Sequence, residues 1–228
     1  MFWKIVLGIW LTAVIILAFT LPSTPNPQTW YELPSIPGLE EKGRIIFFHV
    51  PTAWVTVVAF MVSMAYGIQF LRRGRMDDDI RSVSAAGLGF MFCILATVTG
   101  SIWAKFNWGS FWNWDPRETS IFVLLLIYGA YFALRSAVEG DEKRARLSAV
   151  YSVIAFVTVP FFIFIMPRII ESLHPDPIIN RQGQLHMNRT MFLIFMSSLA
   201  GFTALFFWMW NLAVRIGKLE FIRHTENE

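Results

Sequence analysis

Charge and cysteine are the scarce materials of this 228-residue chain. Only 15% of its residues are Asp, Glu, Lys or Arg, against about 25% in an ordinary soluble domain. Hydrophobic residues make up 55% and aromatics 16%, with 22 Phe, 10 Trp and 10 Met, and the mean hydropathy is +0.51. A soluble fold of this length has too little interior to hide that much apolar surface. The composition therefore argues against a water-soluble enzyme, and equally against a disordered chain. The single cysteine, Cys93, lies inside an apolar run. One thiol closes no internal disulfide and runs no dithiol chemistry, so a small buried hydrophobe is the plain reading. There is no phosphate-cradling G-x-x-x-x-G-K motif, and so no expectation that the chain hydrolyses ATP itself. No repeat of 20–50 residues is visible. The net charge of +3 and pI near 9.2 fit Lys and Arg in cytoplasmic loops and imply no nucleic-acid partner.

Long apolar runs are what the chain has instead. A membrane span needs about 20 mostly apolar residues, because the hydrocarbon core is about 30 Å thick and a helix rises about 1.5 Å per residue. Six segments qualify: 2–21, 45–71, 83–104, 118–138, 147–168 and 191–216. The first is too long in its apolar stretch, and lacks the small-residue cleavage site, to read as a signal peptide. The expected fold is an all-α polytopic membrane protein, one membrane domain over residues 1–228. With both termini cytoplasmic, 12 of the 19 Lys and Arg fall inside and 7 outside, as the positive-inside rule favours. The two inner loops are short and charged and read as solvated connectors. The outer loops carry the unusual residues. The first, 22–44, holds five prolines and no apolar period, so it is expected to be irregular.

The second outer loop, between helices 3 and 4, is crowded with tryptophan: Trp108-Gly109-Ser110-Phe111-Trp112-Asn113-Trp114-Asp115-Pro116-Arg117-Glu118-Thr119, preceded by Trp103. Aromatic belts at the headgroup level are common, but belts scatter their rings around a bundle. Packing them into one loop, beside a Gly109 that permits close backbone approach, suits a flat apolar ligand that stacks and buries area. Arg117 and Lys105 at the edge suit carboxylates on such a ligand. Asp115, Pro116 and Glu118 also spell a capping box with Pro at the first helical position.

Of four histidines, His224 falls in the polar tail and the others on the predicted outer side. His49 is expected about four residues into the second span, where an ionisable group is by default a functional hypothesis. Thr52, Ala53 and Thr56 lie below it on the same helix face and are small enough for a broad planar group to rest there. The plainer alternative is a histidine bonded to a nearby carbonyl. His174 sits in His-Pro-Asp-Pro, a stiff extended loop, and His186 lies three residues before Arg189. The residues alone do not choose between them. Two imidazoles from separate segments beside an aromatic platform match haem, whose iron takes two axial imidazoles and whose porphyrin favours apolar walls. Zinc usually asks for four ligands.

The Trp108–Thr119 run resembles the tryptophan-rich "WWD" signature of the CcmC/CcmF/CcsA haem-handling proteins of cytochrome c maturation. Phe47-Phe48-His49-Val50-Pro51-Thr52-Ala53-Trp54 and Leu173-His174-Pro175 resemble the two histidine segments of the CcmC, or haem exporter protein C, family. Length, six spans and one histidine on each side of the Trp loop agree. The resemblance implies that His49 and His174 are axial ligands to haem b. It also implies that Trp108, Gly109, Trp112, Trp114, Asp115 and Arg117 belong to the haem-carrying loop. The haem would be held at the outer face of the bacterial inner membrane and presented to the haem chaperone CcmE for covalent attachment at a vinyl group. The CcmA–CcmB ABC transporter, CcmD and the lipid bilayer are the implied associates. The alternative reading is a permease subunit exporting haem or another small molecule, which predicts polar groups along a path at mid-depth. A membrane oxidoreductase with an embedded haem would need paired histidines within spans, and only His49 is within one.

Overall fold

The computed structural model describes residues 2–174 and 187–226. His186, the other outer histidine the sequence offers beside His174, lies outside the described residues. The chain is almost entirely helical: α1 (Phe2–Thr20), α2 (His49–Arg73), α3 (Met76–Trp108), α4 (Pro116–Ala137), α5 (Asp141–Pro160), α6 (Met166–Ile169) and α7 (Arg189–Thr225). A π-helical turn, Phe161–Ile165, joins α5 to α6. Six helical segments are long and apolar enough to cross a membrane, α5, the π turn and α6 together forming one. The all-α, six-span reading of the sequence holds.

The ends of the elements depart from expectation in informative ways. Helix α3 has 33 residues, about 50 Å of helix, well beyond the about 30 Å of a hydrocarbon core. Its extra turns begin at Asp77, Asp78 and Asp79, where carboxylates favour the positive end of the helix dipole. These residues were expected in a solvated connector. Asp78 and Asp79 are instead buried, at 1% and 4% exposure. Asp79 receives both terminal nitrogens of Arg135 from α4, at 2.7 and 2.9 Å. Asp78 pairs with Arg75, and Asp77 with Arg81 and with Lys218 of α7. The buried Asp79–Arg135 pair ties α3 to α4, and the partly exposed Asp77–Lys218 pair ties α3 to α7. A two-oxygen match to one guanidinium is the geometry that makes a buried carboxylate tolerable.

Helix α2 is the hub, packing on α3, α5 and α7. At mid-depth its Phe60 meets Cys93, Leu124, Tyr128 and Val159, all fully buried, and the expected buried thiol is found there. On its other side Val55, Val58 and Ala59 pack with Ala85, Phe92 and Phe206. At the opposite end of the bundle from the aspartates, a third cluster joins α1, α7 and the first long loop through Val14, Ala18, Leu33, Phe47, Met191 and Phe195.

That first loop is more ordered than its prolines suggested. Ser23–Thr24 and Leu33–Pro34 form a short parallel bridge. Residues Glu40–Phe47 wind into a 3-10 helix, ending immediately before α2. Arg44 from this helix donates to the carbonyls of Ala18 and Leu21 at 2.6 and 2.8 Å, satisfying acceptors that α1 leaves open at its C-terminus. The Trp103 indole of α3 donates to the Lys42 carbonyl at 3.0 Å. The loop is thereby tied to the outer turn of α3, where the candidate site forms.

Candidate functional site

Three parts of the chain meet at the Trp-loop end: the start of α2, the last three turns of α3, and the irregular segment that follows α6. His49 is the first residue of α2, not a residue four positions into it. The 3-10 helix before it absorbs the residues expected to form that first turn. Its ring lies against α3. His49 Nδ1 is 3.0 Å from the Thr99 hydroxyl, and a Cβ placed on Gly100 would stand only 2.9 Å from the ring's Cε1. Gly100 is thus the notch that lets the imidazole sit against the helix. The face that the sequence suggested for a flat ligand is used otherwise. Thr52 and Thr56 are buried among helices, and their hydroxyls bond the carbonyls of His49 and Thr52.

The tautomer of His49 follows from hydrogen-bond accounting. The Thr99 hydroxyl has one proton to give. It stands 2.7 Å from the Leu95 carbonyl and 3.3 Å from that of Ala96, acceptors that claim this proton. Toward His49 the hydroxyl can only accept, so Nδ1 carries the hydrogen. The Nε2 lone pair is left unprotonated.

His174 is held by a different kind of partner. Its Nδ1 is 2.9 Å from Asp115 Oδ1. The carboxylate is fully buried, while the His174 side chain retains 15% exposure. Asp115 also accepts from the Arg117 amide at 2.9 Å, the Leu173 amide at 2.7 Å and the Ser172 hydroxyl at 2.8 and 3.0 Å. Burial opposes its ionisation, but these donors together hold it below the usual carboxylate range. Burial first, and then the nearby Arg117 guanidinium, bring His174 down to about 4 despite the pull of Asp115. A neutral imidazole facing an ionised, acceptor-only carboxylate must donate through Nδ1–H. Its Nε2 is therefore unprotonated as well.

The two rings belong to one neighbourhood. Thr99 and Gly100, which hold His49, lie one helical turn from Trp103, whose indole stacks on His174 with centroids 5.7 Å apart. Trp108 meets the same imidazole edge-on at 4.7 Å.

The aromatic segment divides in two. Trp108 turns back to Trp103 and His174. Trp112 instead meets Trp114 and Phe122, each at 5.9 Å. Trp114 is 72% exposed and Phe111 57%. Trp114 also adopts a left-handed backbone, at φ 56°, uncommon for a bulky side chain. Gly109 ends α3 with φ 79°, and a Cβ there would meet nothing within 4 Å. The glycine serves the left-handed backbone of this turn. Asp115 and Glu118 form the anticipated capping box. The Glu118 carboxylate accepts from the amides of Asn113 and Asp115 at 2.7 and 3.3 Å, which fixes the loop that bears the rings.

Thr99, Gly100 and Ser172 escaped the sequence reading, and so did the second role of Asp115. No local pattern signals a contact across 50 or 59 residues. The only available hint was the coincidence of small or polar residues on the outer turns of α3.

The fold defines a polytopic membrane protein, at one end of which His49 lies on α3 and His174 lies beside Asp115 and two indoles. A family profile described as CcmC, heme exporter protein C, matches residues 6–227, and the chain belongs to that family. It is 30% identical to the heme exporter protein C of Bradyrhizobium diazoefficiens over 172 residues, 75% of this chain and 65% of that protein. It is 34% identical to the protein of the same name from Paracoccus denitrificans over 114 residues, 50% of this chain and 47% of that one. It is 31% identical over 160 residues to a mitochondrial protein of Marchantia polymorpha whose name calls it ccmC-like and places it in cytochrome c biosynthesis, covering 69% and 67% of the two chains. The matched regions thus span between about half and two thirds of these relatives' own lengths.

Proposed function

We propose that this chain is a cytochrome c-type biogenesis factor that binds haem b as cargo, with His49 and His174 as axial ligands, at the outer face of the bacterial inner membrane. From there it presents the haem to the chaperone CcmE for covalent attachment. The observation that carries the reading is the pair of imidazoles whose Nδ1 atoms are both engaged by chain partners, which leaves each Nε2 as the ligating nitrogen, and which lie against neighbouring turns of α3. Iron ligation by histidine uses an unprotonated ring nitrogen, its other nitrogen commonly bonded to a carboxylate, carbonyl or water. The donor set and the setting suit haem: two nitrogens, flanking indoles, and Arg117 for a propionate. The porphyrin itself would supply the reactive vinyl, while the chain binds and orients it. Trp108, Gly109, Trp112, Trp114, Asp115 and Arg117 then form the loop that carries the macrocycle and meets the chaperone.

The charge distribution of the sequence supports both termini in the cytoplasm, with the Trp loop periplasmic. The CcmA–CcmB transporter and CcmD are the associates this role calls for. Presentation is favoured over passage through the chain by the mid-depth interior, where Phe60, Cys93, Leu124 and Tyr128 fill the space between helices with no exposure beyond 0%.

The test is the absorption spectrum of protein purified from haem-replete cells. Wild type should show a Soret band. His49→Ala and His174→Ala should each weaken axial ligation, and the double variant most. Wild-type protein that never retains haem would overturn the reading.

A further inference from the structure

The two imidazoles are not equivalent, and the difference lies in what stands behind them. His174 donates to an ionised carboxylate that is itself locked by three other groups of the chain. His49 donates to a neutral hydroxyl whose own proton is committed to the backbone. A hydrogen bond to a carboxylate is charge-assisted and shifts electron density into the ring, making Nε2 a stronger donor. A hydroxyl acceptor does so far less. Their mechanical settings differ in the same sense. His174 packs against Trp103 face to face and against Trp108 edge-on, the two indoles also touching each other, and its backbone amide is bonded to Ser172 at 3.1 Å. His49 rests over the empty Gly100 notch, with Thr99 as its side-chain partner.

We propose that Asp115 is a positioning residue that makes His174 the retained iron ligand, leaving His49, set by Thr99, as the ligand that a receiving molecule displaces. This rests on the haem-binding reading above. It adds a direction to the exchange: the iron face opposite His174 opens first, while the carboxylate-backed ring keeps the cargo attached to the chain. Any incoming sixth ligand, an imidazole of a partner or a small diatomic probe, should therefore replace His49.

Carbon monoxide added to the reduced, haem-loaded full-length protein tests this. The adduct of the wild type should coincide, in its Fe–C and C–O stretching frequencies, with that of His49→Ala and differ from that of His174→Ala. Coincidence with the His174→Ala adduct would overturn the proposal. Asp115→Asn should shift the Fe–C stretch of the adduct and lower haem affinity about 10–100-fold, the usual effect of removing an outer partner of a metal-bound histidine. Thr99→Val should lower affinity by less. An unshifted stretch in Asp115→Asn would refute the positioning role. If that variant fails to fold, the wild-type comparison still decides the order of displacement.

A second measurement needs no haem. Nitrogen-15 spectra of histidine-labelled protein in detergent should show both His49 and His174 with the proton on Nδ1. A predominantly Nε2-protonated His174 in the wild type would overturn the role assigned to Asp115. Protein that shows the expected tautomers yet takes up no haem would defeat the haem-binding reading instead, so the two failures are distinguishable.

Discussion

Replacing Gly100 with alanine separates fold from site, because stability should hardly change while haem binding falls. Gly100 lies inside α3, and alanine in a helix interior is favoured over glycine by about 0.8–1 kcal/mol. The added methyl, however, would stand 2.9 Å from His49 Cε1, 3.6 Å from Nε2 and 3.7 Å from Nδ1. Carbon atoms rest at about 3.5–4.0 Å, so the ring must retreat by roughly 0.6–1 Å. That displacement stretches the 3.0 Å contact with Thr99 beyond useful hydrogen-bond length. The bond lost is worth about 0.5–1.5 kcal/mol to the fold, about the size of the helix gain, so thermal unfolding followed by circular dichroism should change little. Haem retention, measured as Soret absorbance per protein after purification, should fall by about 10–100-fold in affinity, since the ring loses its outer partner and its place. Wild-type haem affinity in Gly100→Ala would refute the notch and, with it, the seating of His49 on α3.

Other substitutions probe the remaining contacts. Arg135→Leu strands the buried Asp79 carboxylate and should cost about 3–5 kcal/mol of stability, whereas Asp79→Leu with Arg135→Leu should recover most of it; detergent-denaturation midpoints of the two variants compare them, and a harmless single change would refute the clamp. Gly109→Ala meets no steric obstacle but must hold φ near 79°, so it should destabilise by about 1–2 kcal/mol through the backbone alone, read from the same denaturation curves. Trp108→Ala removes a ring that touches His174 and should lower haem retention, while Trp114→Ala, at an exposed ring, should keep the Soret band and reduce transfer to a chaperone; equal loss of retention in both would mean the aromatic segment acts as one platform.

Hydropathy made the six spans legible, because the bilayer imposes a length and a composition that no loop satisfies. It underestimated α3 and α7, whose polar ends continue as helix once Asp77, Asp78 and Asp79 find Arg135, Arg75 and Lys218. Local rules succeeded where the physics is local. The Asp115–Pro116–Glu118 cap could be read from four consecutive positions, since a capping box closes within one turn. The surroundings of His49 could not. A sequence displays the neighbours a residue has along its own helix, and those, Thr52 and Thr56, turned out to face the packed interior. Its real neighbours come from α3, 50 residues on, chosen by how α2 and α3 pack.

The same distinction explains how one residue can be both foreseeable and missed. As a cap, Asp115 fixes the start of α4, and this places its carboxylate at the base of the Trp loop. As an acceptor for the amide of Leu173 and the ring of His174, it draws in a chain segment that leaves α6 nearly sixty residues later. One side chain therefore sets the direction of α4, the path of the Trp loop and the orientation of a histidine. The aromatic rings are sorted by the same geometry. Those on the α3 side of the turn, Trp103 and Trp108, close around His174, while those beyond Gly109, Phe111 and Trp114, face outward. A loop serving only as a membrane belt would have no reason to divide so. Under the function proposed above, the inner pair would hold the cargo and the exposed pair would meet the partner, because cargo must be held on one side and reachable from the other.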